Sequence, residues 1–580
     1  MGNLLLVFLS KGRSLVILFF LIAESSLLFA DNGPQGESAG AEQRRFQEES
    51  DRQRRARSFR RKISDLPAEF APETKIQEAP SEGPFFRIEK VKIVGNQNIP
   101  AEKLEPLFQD ILQQEVSLQE LQEVASKIKQ YYREEGYIAA YVYVPPQKIT
   151  NGIVEFRVLE GKLGKLKIVG NRWFSEKVLR ERLHAAPDQA VRFEKLRSDL
   201  ARLNRHRDIK TRAVLKEGVE NETTDIEILV KDKFPWHLGA DVNNRGTRNT
   251  GRSRWGVSAS HTNLFGKLGE IGGRFQIGKR VWGAGGNLEI PVFSKDTRLG
   301  FSYSRSSVEV GGDFAALNIE GDATTYGLYL SQPVVYQKYV EASLGLGFDW
   351  KSVENRIFDQ ISGKDEFRVL RPEVNLSFND PWGRTQTTHE FDFGFSSFLG
   401  ASDKIDERAT RVDSGGQFFI YRASLLRFHR LPGDWVFSFR GTAQLTPDRL
   451  APSEELQLGG AFSVRGYPEA EYLGDYGAHL STELLVPSFF VPESWHIPFW
   501  REPLRKQVQG VFFFDFGGAG VHDAFLGETK HRILAGTGAG VRVRLADHLF
   551  ARFEWAAPVG SAPRDGSKMG FYFSISSEFF

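Results

Sequence analysis

The 580-residue chain has no cysteine and almost no net charge. The missing thiol excludes disulfide bonds, thiolate catalysis and zinc sites built on cysteine. Lys and Arg number 76 against 74 Asp and Glu, and this balance gives no support for nucleic-acid binding. Beyond residue 30, no apolar run reaches the roughly 20 residues that a membrane-spanning helix needs. The abundant residues are glycine, with 56, and phenylalanine, with 47, and together they favour many β-strands.

Residues 1–30 have the pattern of a secretory signal peptide. Lys11 and Arg13 precede a short apolar run at 15–23, and the small residue Ala30 follows it. A basic start, a short apolar core and a small residue at the end are typical of a cleaved export signal, so we predict cleavage after Ala30. The alternative is an uncleaved membrane anchor, but the apolar core is too short to span a bilayer.

A strongly charged region at 31–62 is followed by a predicted linker at 63–84. Residues 41–62 contain nine Lys or Arg, four Asp or Glu, and neither Gly nor Pro, so a solvated helix is predicted. The composition also fits a disordered basic tail. Because the only large apolar residues are Phe46 and Phe59, the helix requires a polar, water-filled environment. Four prolines between 63 and 84 predict an extended linker.

A six-residue pattern occurs twice, 75 residues apart, as Val-Lys-Ile-Val-Gly-Asn at 91–96 and Leu-Lys-Ile-Val-Gly-Asn at 166–171. Each copy predicts a strand that stops at a Gly-Asn turn, followed by apolar residues at helical spacing and then by two strands. In the first copy the first helix is predicted over 104–112. The order β-α-α-β-β predicts two α+β modules, at 85–161 and 162–232.

From 233 to 580 the hydrophobic period changes to two. Aromatic and aliphatic residues alternate with small or charged ones, as Trp255 and Val257 alternate with Arg254 and Gly256. About sixteen such segments occur, which predicts a 16-stranded antiparallel transmembrane β-barrel with an apolar outer face and a polar lumen. A large soluble sandwich or propeller is the alternative.

The final segment, 569–580, predicts a terminal aromatic strand. Phe571 and Phe579 share one face of this strand, whereas Phe580 lies on the other. Either face could point to lipid, so two registers stay open at this stage.

The most specific pattern lies in a long connection between two strand patterns, where Gly459 and Gly460 precede a tetrapeptide. This tetrapeptide consists of Val464, Arg465, Gly466 and Tyr467. A later strand contains the tetrapeptide Phe514, Asp515, Phe516 and Gly517. The first resembles the inward-folded loop, and the second the barrel-wall motif, of the superfamily that joins POTRA modules to an outer-membrane barrel.

With the duplicated module, these motifs make the chain resemble two-partner secretion transporters of the haemolysin secretion/activation type over nearly all of 41–580. The resemblance implies periplasmic POTRA modules, an outer-membrane barrel and export of a large β-rich partner protein through it. It also implies that Arg465 meets Asp515. In the first module, the residues implied in partner binding are Tyr137, Pro145, Gln147 and Gly152.

Two physical expectations follow from this interpretation. A planar guanidinium that grips a wall carboxylate is directional, and in a hydrated lumen such a pair contributes more to conformational specificity than to stability. The basic helix at 41–62 would be a releasable plug, held by the lumen carboxylates Asp392, Glu390 and Glu554.

No enzymatic motif is recognisable. The glycine-rich stretches 517–520 and 536–540 do not open a helix after a parallel strand, and small residues that face a narrow lumen explain them. The 11 histidines include no metal-binding spacing, and no nucleophile elbow occurs. We therefore predict no catalytic residue, no metal, no cofactor and no enzymatic activity.

Two rival functions remain open. A barrel-assembly insertase of the same superfamily usually carries more POTRA modules than the two that fit between 85 and 232. A passive diffusion porin would not need periplasmic modules. We expect a monomer that contacts outer-membrane lipid and the secreted partner, and no nucleic acid.

Overall fold

The computed structural model describes most of the chain. The described residues are 38–59, 85–137, 140–160, 162–184, 193–217, 223–293, 296–337, 339–489, 491–496, 503–524, 528–545 and 548–579. The predicted signal peptide at 1–30 and the predicted linker at 63–84 lie outside them. None of the helices in the described part is long and apolar enough to cross a membrane.

The charged N-terminal region contains one helix, α1 (Ala39–Phe59). It coincides with the predicted helix from residue 41 to residue 59, and residues 60–62 lie outside the described ranges.

The described part of the first module contains two α-helices and five short strands. They are β1 (Phe86–Arg87), β2 (Lys90–Val94), α2 (Ala101–Leu104), β3 (Glu115–Val116), α3 (Leu118–Glu134), β4 (Tyr141–Tyr143) and β5 (Ile153–Leu159). The main sheet has the order β2-β5-β4, in which β2 and β5 are parallel, and β1 pairs with β3. The helix predicted over 104–112 is wrong: α2 ends at Leu104 and two 3-10 turns follow. Pro106 explains the difference because it has no N–H to continue the α-helical hydrogen bonds.

The second module repeats this arrangement. Its elements are β6 (Lys162–Val169), α4 (Glu176–Glu181), α5 (Phe193–Asn204), β7 (Ile209–Glu217) and β8 (Thr223–Asp232), with the sheet order β6-β8-β7. Again the first and last strands are parallel neighbours, and the hairpin strand lies at the edge.

The repeated Gly-Asn pair has the same geometry in both modules. Gly95 and Gly170 adopt φ angles of 97° and 89°, and a Cβ atom at either glycine would lie within 2.4 Å of a backbone carbonyl oxygen on the neighbouring strand. The Asn96 and Asn171 side chains each donate to the carbonyl three residues later, at 3.1 and 2.9 Å. The sequence repeat therefore marks a repeated turn that only glycine fits.

The remaining strands form the barrel and one hairpin. The first eleven barrel strands are β9 (Trp236–Asn243), β10 (Arg254–Leu264), β11 (Gly269–Gly278), β12 (Val281–Pro291), β13 (Arg298–Val310), β14 (Ile319–Tyr336), β15 (Val340–Ile357), β16 (Gln360–Asp380), β17 (Gly383–Gly394), β18 (Phe418–Arg430) and β19 (Val436–Leu445). The hairpin strands β20 (Leu456–Leu458) and β21 (Tyr472–Gly474) follow. Then come β22 (Tyr476–Pro487), the short α6 (Leu504–Gln507), β23 (Val508–Gly520), β24 (His531–Leu545), β25 (Leu549–Val559) and β26 (Gly570–Glu578).

Within the described residues, sixteen antiparallel strands close into a barrel, and the predicted strand number is confirmed. Each strand pairs with its sequence neighbour, β19 pairs with β22, and β26 pairs with β9 over five residue pairs. The faces are as predicted: Trp255 and Val257 are exposed on the outside, whereas Arg254 is buried inside.

The register of the last strand follows from its burial pattern. Phe571 is exposed on the outer face, next to the equally exposed Trp555, with ring centroids 5.1 Å apart. Tyr572 is buried in the lumen. The face that contains Phe571 therefore points to lipid, and Phe580 lies outside the described residues.

The second module docks against the barrel end where β9 begins and β26 ends, here called the module end; the opposite end is the far end. Asp208, which is 2% exposed, accepts a hydrogen bond from Thr262 of β10 and lies 2.9 Å from His237 Nε2 of β9. Arg202 donates to Asp296 in the connection before β13, at 2.8 Å. Burial alone would raise the pKa of Asp208, but the hydrogen bonds from His237 and Thr262 lower it below its ordinary value.

Replacing Asp208 by Asn is expected to loosen this junction. The variant removes a buried charge from its partners, a loss of about 1–3 kcal/mol. Because the pKa of Asp208 is lowered, its stabilisation is present above the ordinary carboxyl value of about 3.9 and is lost as the pH falls below it. Hydrogen exchange of 208–217, corrected for the intrinsic rate, should be faster in Asp208→Asn at pH 7, and the wild type should approach the variant only in acid. The control is Asp313→Asn, an exposed carboxylate at the far end; equal exchange in Asp208→Asn and wild type would contradict the assignment.

Candidate functional site

The connection between β19 and β22, residues 446–475, folds into the barrel and is here called the inward loop. Its strands β20 and β21 pair with each other and contact β23 of the wall. Val464, Arg465 and Tyr467 near its tip are at most 1% exposed. A polar connection at this depth requires partners for its backbone and its charges, and the lumen wall supplies them.

Arg465 is gripped by Asp515 of β23 at three points. Its backbone N–H and Nε both donate to Asp515 Oδ2, at 3.0 and 2.6 Å, and Nη2 donates to Oδ1 at 2.8 Å. Every hydrogen bond that the structure gives the Asp515 carboxylate comes from Arg465. This paired, charge-assisted geometry needs a guanidinium, because a lysine amine cannot present two parallel donors.

Two further carboxylates complete the surroundings of Arg465. Nη1 donates to Glu483 of β22 at 2.9 Å and to Glu554 of β25 at 2.8 Å. Glu483 and Glu554 are bridged in turn by Arg542 of β24, at 2.8 and 3.0 Å. The site is therefore an alternating network of charges that spans β22 to β25, not a single pair.

The expectation of a solvated pair is wrong. Arg465 is 1% exposed and Asp515 is fully buried, so water does not screen their attraction. The guanidinium also lies on the ring of Phe513, with its Cζ atom 3.4 Å from the ring centroid. Phe513 lies on the same inner face of β23 as Asp515, and its ring covers the guanidinium on a side that the carboxylates do not contact.

The neighbours of Arg465 seat the tip of the loop. Gly466 has a φ angle of 103°, and a Cβ atom there would lie 2.8 Å from the backbone nitrogen of Pro558. Its N–H donates to the Tyr572 hydroxyl at 2.9 Å, and that hydroxyl donates to the Tyr467 carbonyl at 2.7 Å. The Tyr467 hydroxyl reaches the Ser561 carbonyl at 2.8 Å.

The second predicted motif divides between the two faces of β23. Phe514 and Phe516 are exposed on the outer face, whereas Asp515 and Gly517 point into the lumen. A Cβ atom at Gly517 would lie 3.1 Å from a side-chain carbon of Leu458 in the inward loop. Only Asp515 and Gly517 of this motif therefore meet the inward loop.

Several contact residues were not singled out for this site from the sequence. They are Phe513, Ser481, Glu483, Gly536, Glu554 and Tyr572. A Cβ atom at Gly536 would lie 1.8 Å from the Arg465 carbonyl oxygen, so the glycine-rich stretch at 536–540 makes room for the loop. The sequence indicates which charged or small residues face the lumen, but it does not indicate which of them contact Arg465.

Helix α1 lies in the lumen beside the inward loop. Its Arg44 donates to the Glu455 carbonyl, and the Gln457 side chain donates to the Ala41 carbonyl at 3.0 Å. The ring of Phe46 lies against the wall at Gly283 and Gly285, where a Cβ atom would come within about 3 Å of it. The helix is therefore held by the loop as well as by the wall.

Two carboxylates of α1 pair with arginines around the lumen. Glu42 lies 3.6 Å from Arg254 of β10, and Glu49 accepts from Arg245, in the connection between β9 and β10, at 3.1 Å. The expected anchors Asp392 and Glu554 pair with arginines of the wall and the inward loop. Those arginines are Arg371 and Arg422 for Asp392, and Arg465 and Arg552 for Glu554. The basic side chains from residue 52 onward lie outside the described part, so the predicted pairing of the helix with Asp392, Glu390 and Glu554 stays a prediction.

Two of the residues implied in partner binding, Tyr137 and Gly152, are half-buried and contact other residues of the first module. The Tyr137 ring packs edge-on against the buried Tyr132, with centroids 6.0 Å apart. Gly152 has a φ angle of 67°, and its carbonyl accepts from the Glu89 N–H at 2.8 Å. Their described contacts shape the module.

The other two implied residues are accessible. Pro145 is half-buried and Gln147 is exposed. The Gln147 carboxamide exchanges two hydrogen bonds of 2.8 Å with the backbone of Glu155 in β5. This position lies beyond the last β4–β5 pair, Tyr143 with Arg157, so the side chain occupies backbone groups that a longer β4 would have paired.

Comparisons with known proteins agree with this architecture. The family described as haemolysin secretion/activation protein ShlB/FhaC/HecB matches residues 222–543, and the ShlB-type POTRA domain matches residues 86–161. The chain is 22% identical over 514 residues to the heme/hemopexin transporter protein HuxB of Haemophilus influenzae, covering 86% of this chain and 88% of that protein. It is 23% identical over 462 residues to the outer membrane transporter CdiB of Escherichia coli O6:K15:H31, covering 78% and 76%.

The solved structure of CdiB from Escherichia coli superposes with a TM-score of 0.69 at 18% identity, covering 96% of this chain and all of that one. It supports the fold of modules and barrel. Because the family match extends over more than half of the chain and includes most of the barrel, this protein belongs to the haemolysin secretion/activation family ShlB/FhaC/HecB.

Proposed function

We propose that this chain exports a large, β-rich partner protein to the cell surface. The barrel crosses the outer membrane, and both modules lie in the periplasm at the module end. The modules recognise the N-terminal part of the partner, which then passes through the barrel. The work is transport, and no catalytic step is part of it.

One observation carries the proposal: two elements that are not strands of the wall, α1 and the inward loop, occupy the lumen. Hydrogen bonds and ion pairs fix both elements at several points, as Glu49 shows for α1 and Arg465 for the loop. The loop also packs apolar side chains such as Leu458 against Ala519 and Leu534 of the wall. Polar contacts of this kind can be exchanged for water or for another chain without exposing a large apolar surface. The passage can therefore open while the wall stays folded.

The modules are suited to capturing an extended segment. In each three-stranded sheet the outer strands, β2 and β4 in the first module and β6 and β7 in the second, have one neighbour only. A partner strand can add to such an edge through backbone hydrogen bonds. We place the first contact near Pro145 and Gln147, where displacement of one carboxamide would free the backbone of β5.

A single copy suffices in this scheme, since the lumen belongs to one chain. The sequence contains no nucleotide-binding motif, and folding of the partner outside the cell would make the passage irreversible. The outer face of the barrel contacts lipid through its exposed aromatic side chains, such as Trp255 and Phe514.

The test is export of a large secreted protein encoded beside this chain. When the two are expressed together, the partner is expected at the surface or in the medium, and without this chain it should stay in the periplasm. Retention in both cases would contradict export of that partner. Loss of other outer-membrane barrels on deletion would indicate an insertase, and uptake of small solutes without export would indicate a porin.

A further inference from the structure

The inward loop has a second fixed point, far from Arg465. At its root, where the two arms leave β19 and enter β22, Asp475 is fully buried. Its carboxylate accepts from the Leu450 N–H at 2.9 Å and from the His522 N–H at 2.7 Å. Asp475 therefore joins both arms of the loop to the next connection, 521–530.

The cation at this point comes from a different connection. Arg411 belongs to 395–417, between β17 and β18, and only 9% of its side chain is exposed. Nη1 donates to Asp475 at 2.6 Å, to Glu455 at 2.7 Å and to the Leu450 carbonyl at 3.0 Å. Nη2 donates to Glu528 at 3.2 Å. One guanidinium thus ties three far-end connections together.

The segment that carries Arg411 crosses the far end of the barrel. Beside it, the Thr410 N–H donates to Asp365 of β16 at 2.9 Å, and the Thr410 hydroxyl accepts from Asn355 of β15 at 3.0 Å. Three barrel strands, β17 to β19, separate β16 from β22. Residues 410 and 411 therefore bridge wall positions well apart on the rim, above the lumen.

The crossing segment also meets the plug. Asn355, which bonds Thr410, accepts from the Ala39 N–H at 3.4 Å, and Glu455, which bonds Arg411, accepts from Arg44 through its carbonyl. One polar assembly at the far end of the barrel, here called the outer mouth, joins three elements. They are the start of α1, the root of the inward loop and residues 395–417.

We propose that Arg411 is a second anchoring residue of the export cycle, and that 395–417 is an outer gate that must lift from the mouth before cargo leaves. This rests on the proposed export function. Arg465 holds the loop tip at the wall, and Arg411 holds the loop root to the gate. Release of the tip alone leaves the mouth covered, so passage requires both anchors to open.

The test uses the absence of cysteine in the natural chain. A Cβ atom at Gly363 of β16 would lie 3.2 Å from Thr410 Cβ and 2.8 Å from Thr410 Cα. Since the Cβ atoms of a disulfide are about 3.8 Å apart, Gly363→Cys with Thr410→Cys can form a disulfide once the two backbone segments separate by about 1 Å. We expect the oxidised pair to lose export and a reductant to restore it. Normal export from a quantitatively oxidised pair would overturn the gate.

A second variant decides the role of the anchor without cargo. Arg411→Ala is expected to raise the frequency of channel openings in planar bilayers several-fold, because one of the two anchors is missing, while α1 and the Arg465 contact leave the maximal conductance unchanged. Its matched control, Arg408→Ala in the same connection, changes an arginine whose side chain is 71% exposed and pairs with Asp406, and it should conduct like the wild type. An opening frequency in Arg411→Ala equal to that of the wild type would refute the anchor, whether or not the disulfide pair folds. Conductance needs no partner, so failure of the export proposal itself appears separately, as retention of the partner by the wild type.

Discussion

Arg465→Ala is expected to abolish export while leaving a folded barrel in the membrane. The substitution removes both side-chain hydrogen bonds and the charge that hold the buried Asp515 carboxylate, and it leaves only the backbone N–H of residue 465 as a donor. Removing one partner of a buried ion pair costs about 3–5 kcal/mol, and here the loss falls on the contact between loop and wall. The inward loop should lose its contact with the wall. Export of the partner is measured together with the amount of folded barrel in the membrane, which heat modifiability on gels reports.

Three comparisons sharpen this experiment. Arg465→Lys keeps the charge without the paired donors and should retain partial export. Gly536→Ala keeps every charge but would place a methyl group 1.8 Å from the Arg465 carbonyl oxygen, so it should reproduce the defect by steric means. The control is Arg544→Ala, an exposed arginine on the same face of β24 as Arg542. Normal export by an inserted Arg465→Ala barrel would show that the seat is not needed.

Deleting residues 39–59 is expected to produce the largest change in conductance. Helix α1 occupies the lumen, where Glu42 lies near Arg254 and Glu49 accepts from Arg245. After its removal, the inward loop and the far-end connections are the described elements that still obstruct the lumen. Single-channel recordings should show a several-fold higher conductance than the wild type. Unchanged conductance would exclude α1 as the plug.

Point variants test whether the ion pairs of α1 keep the helix in the lumen. Glu42→Gln with Glu49→Gln should open more often than the wild type without changing the maximal conductance, because the helix is loosened and not removed. Glu48→Gln is the matched control, since Glu48 lies 3.0 Å from Arg44 of the same helix. Equal opening frequency in all three proteins would contradict a role for the wall arginines.

The barrel could be predicted because its information is local. Alternation along each strand, as at Trp255 and Gly256, fixes which face meets lipid, and the strand number follows by counting. Local pattern failed where a single residue overrides it, as Pro106 does in the first module. It could not choose the register of the last strand, which the structure decides through the burial of Tyr572.

The site was only partly predictable for a different reason. The pairing of Arg465 with Asp515 came from resemblance, whereas the approach of Glu483 and Glu554 depends on strand register across the barrel, which no linear spacing encodes. The charge of 41–62 was counted correctly, but a sum over the helix does not say which side chains meet the wall. Glu42 and Glu49 do so although basic residues outnumber acidic ones.

The orientation of α1 determines the path by which the helix would leave the barrel lumen. The Ala39 N–H donates to Asn355, which lies two residues before the far end of β15. The helix therefore lies in the barrel with its first residue toward the far end. Its 21 residues span about 31 Å at 1.5 Å per residue. In the proposed export, withdrawal of the helix toward the periplasm would draw its first turn inward along the lumen, against the direction of the outgoing cargo. Helix and cargo would occupy the same barrel lumen, so the helix has to leave the lumen before the cargo can pass.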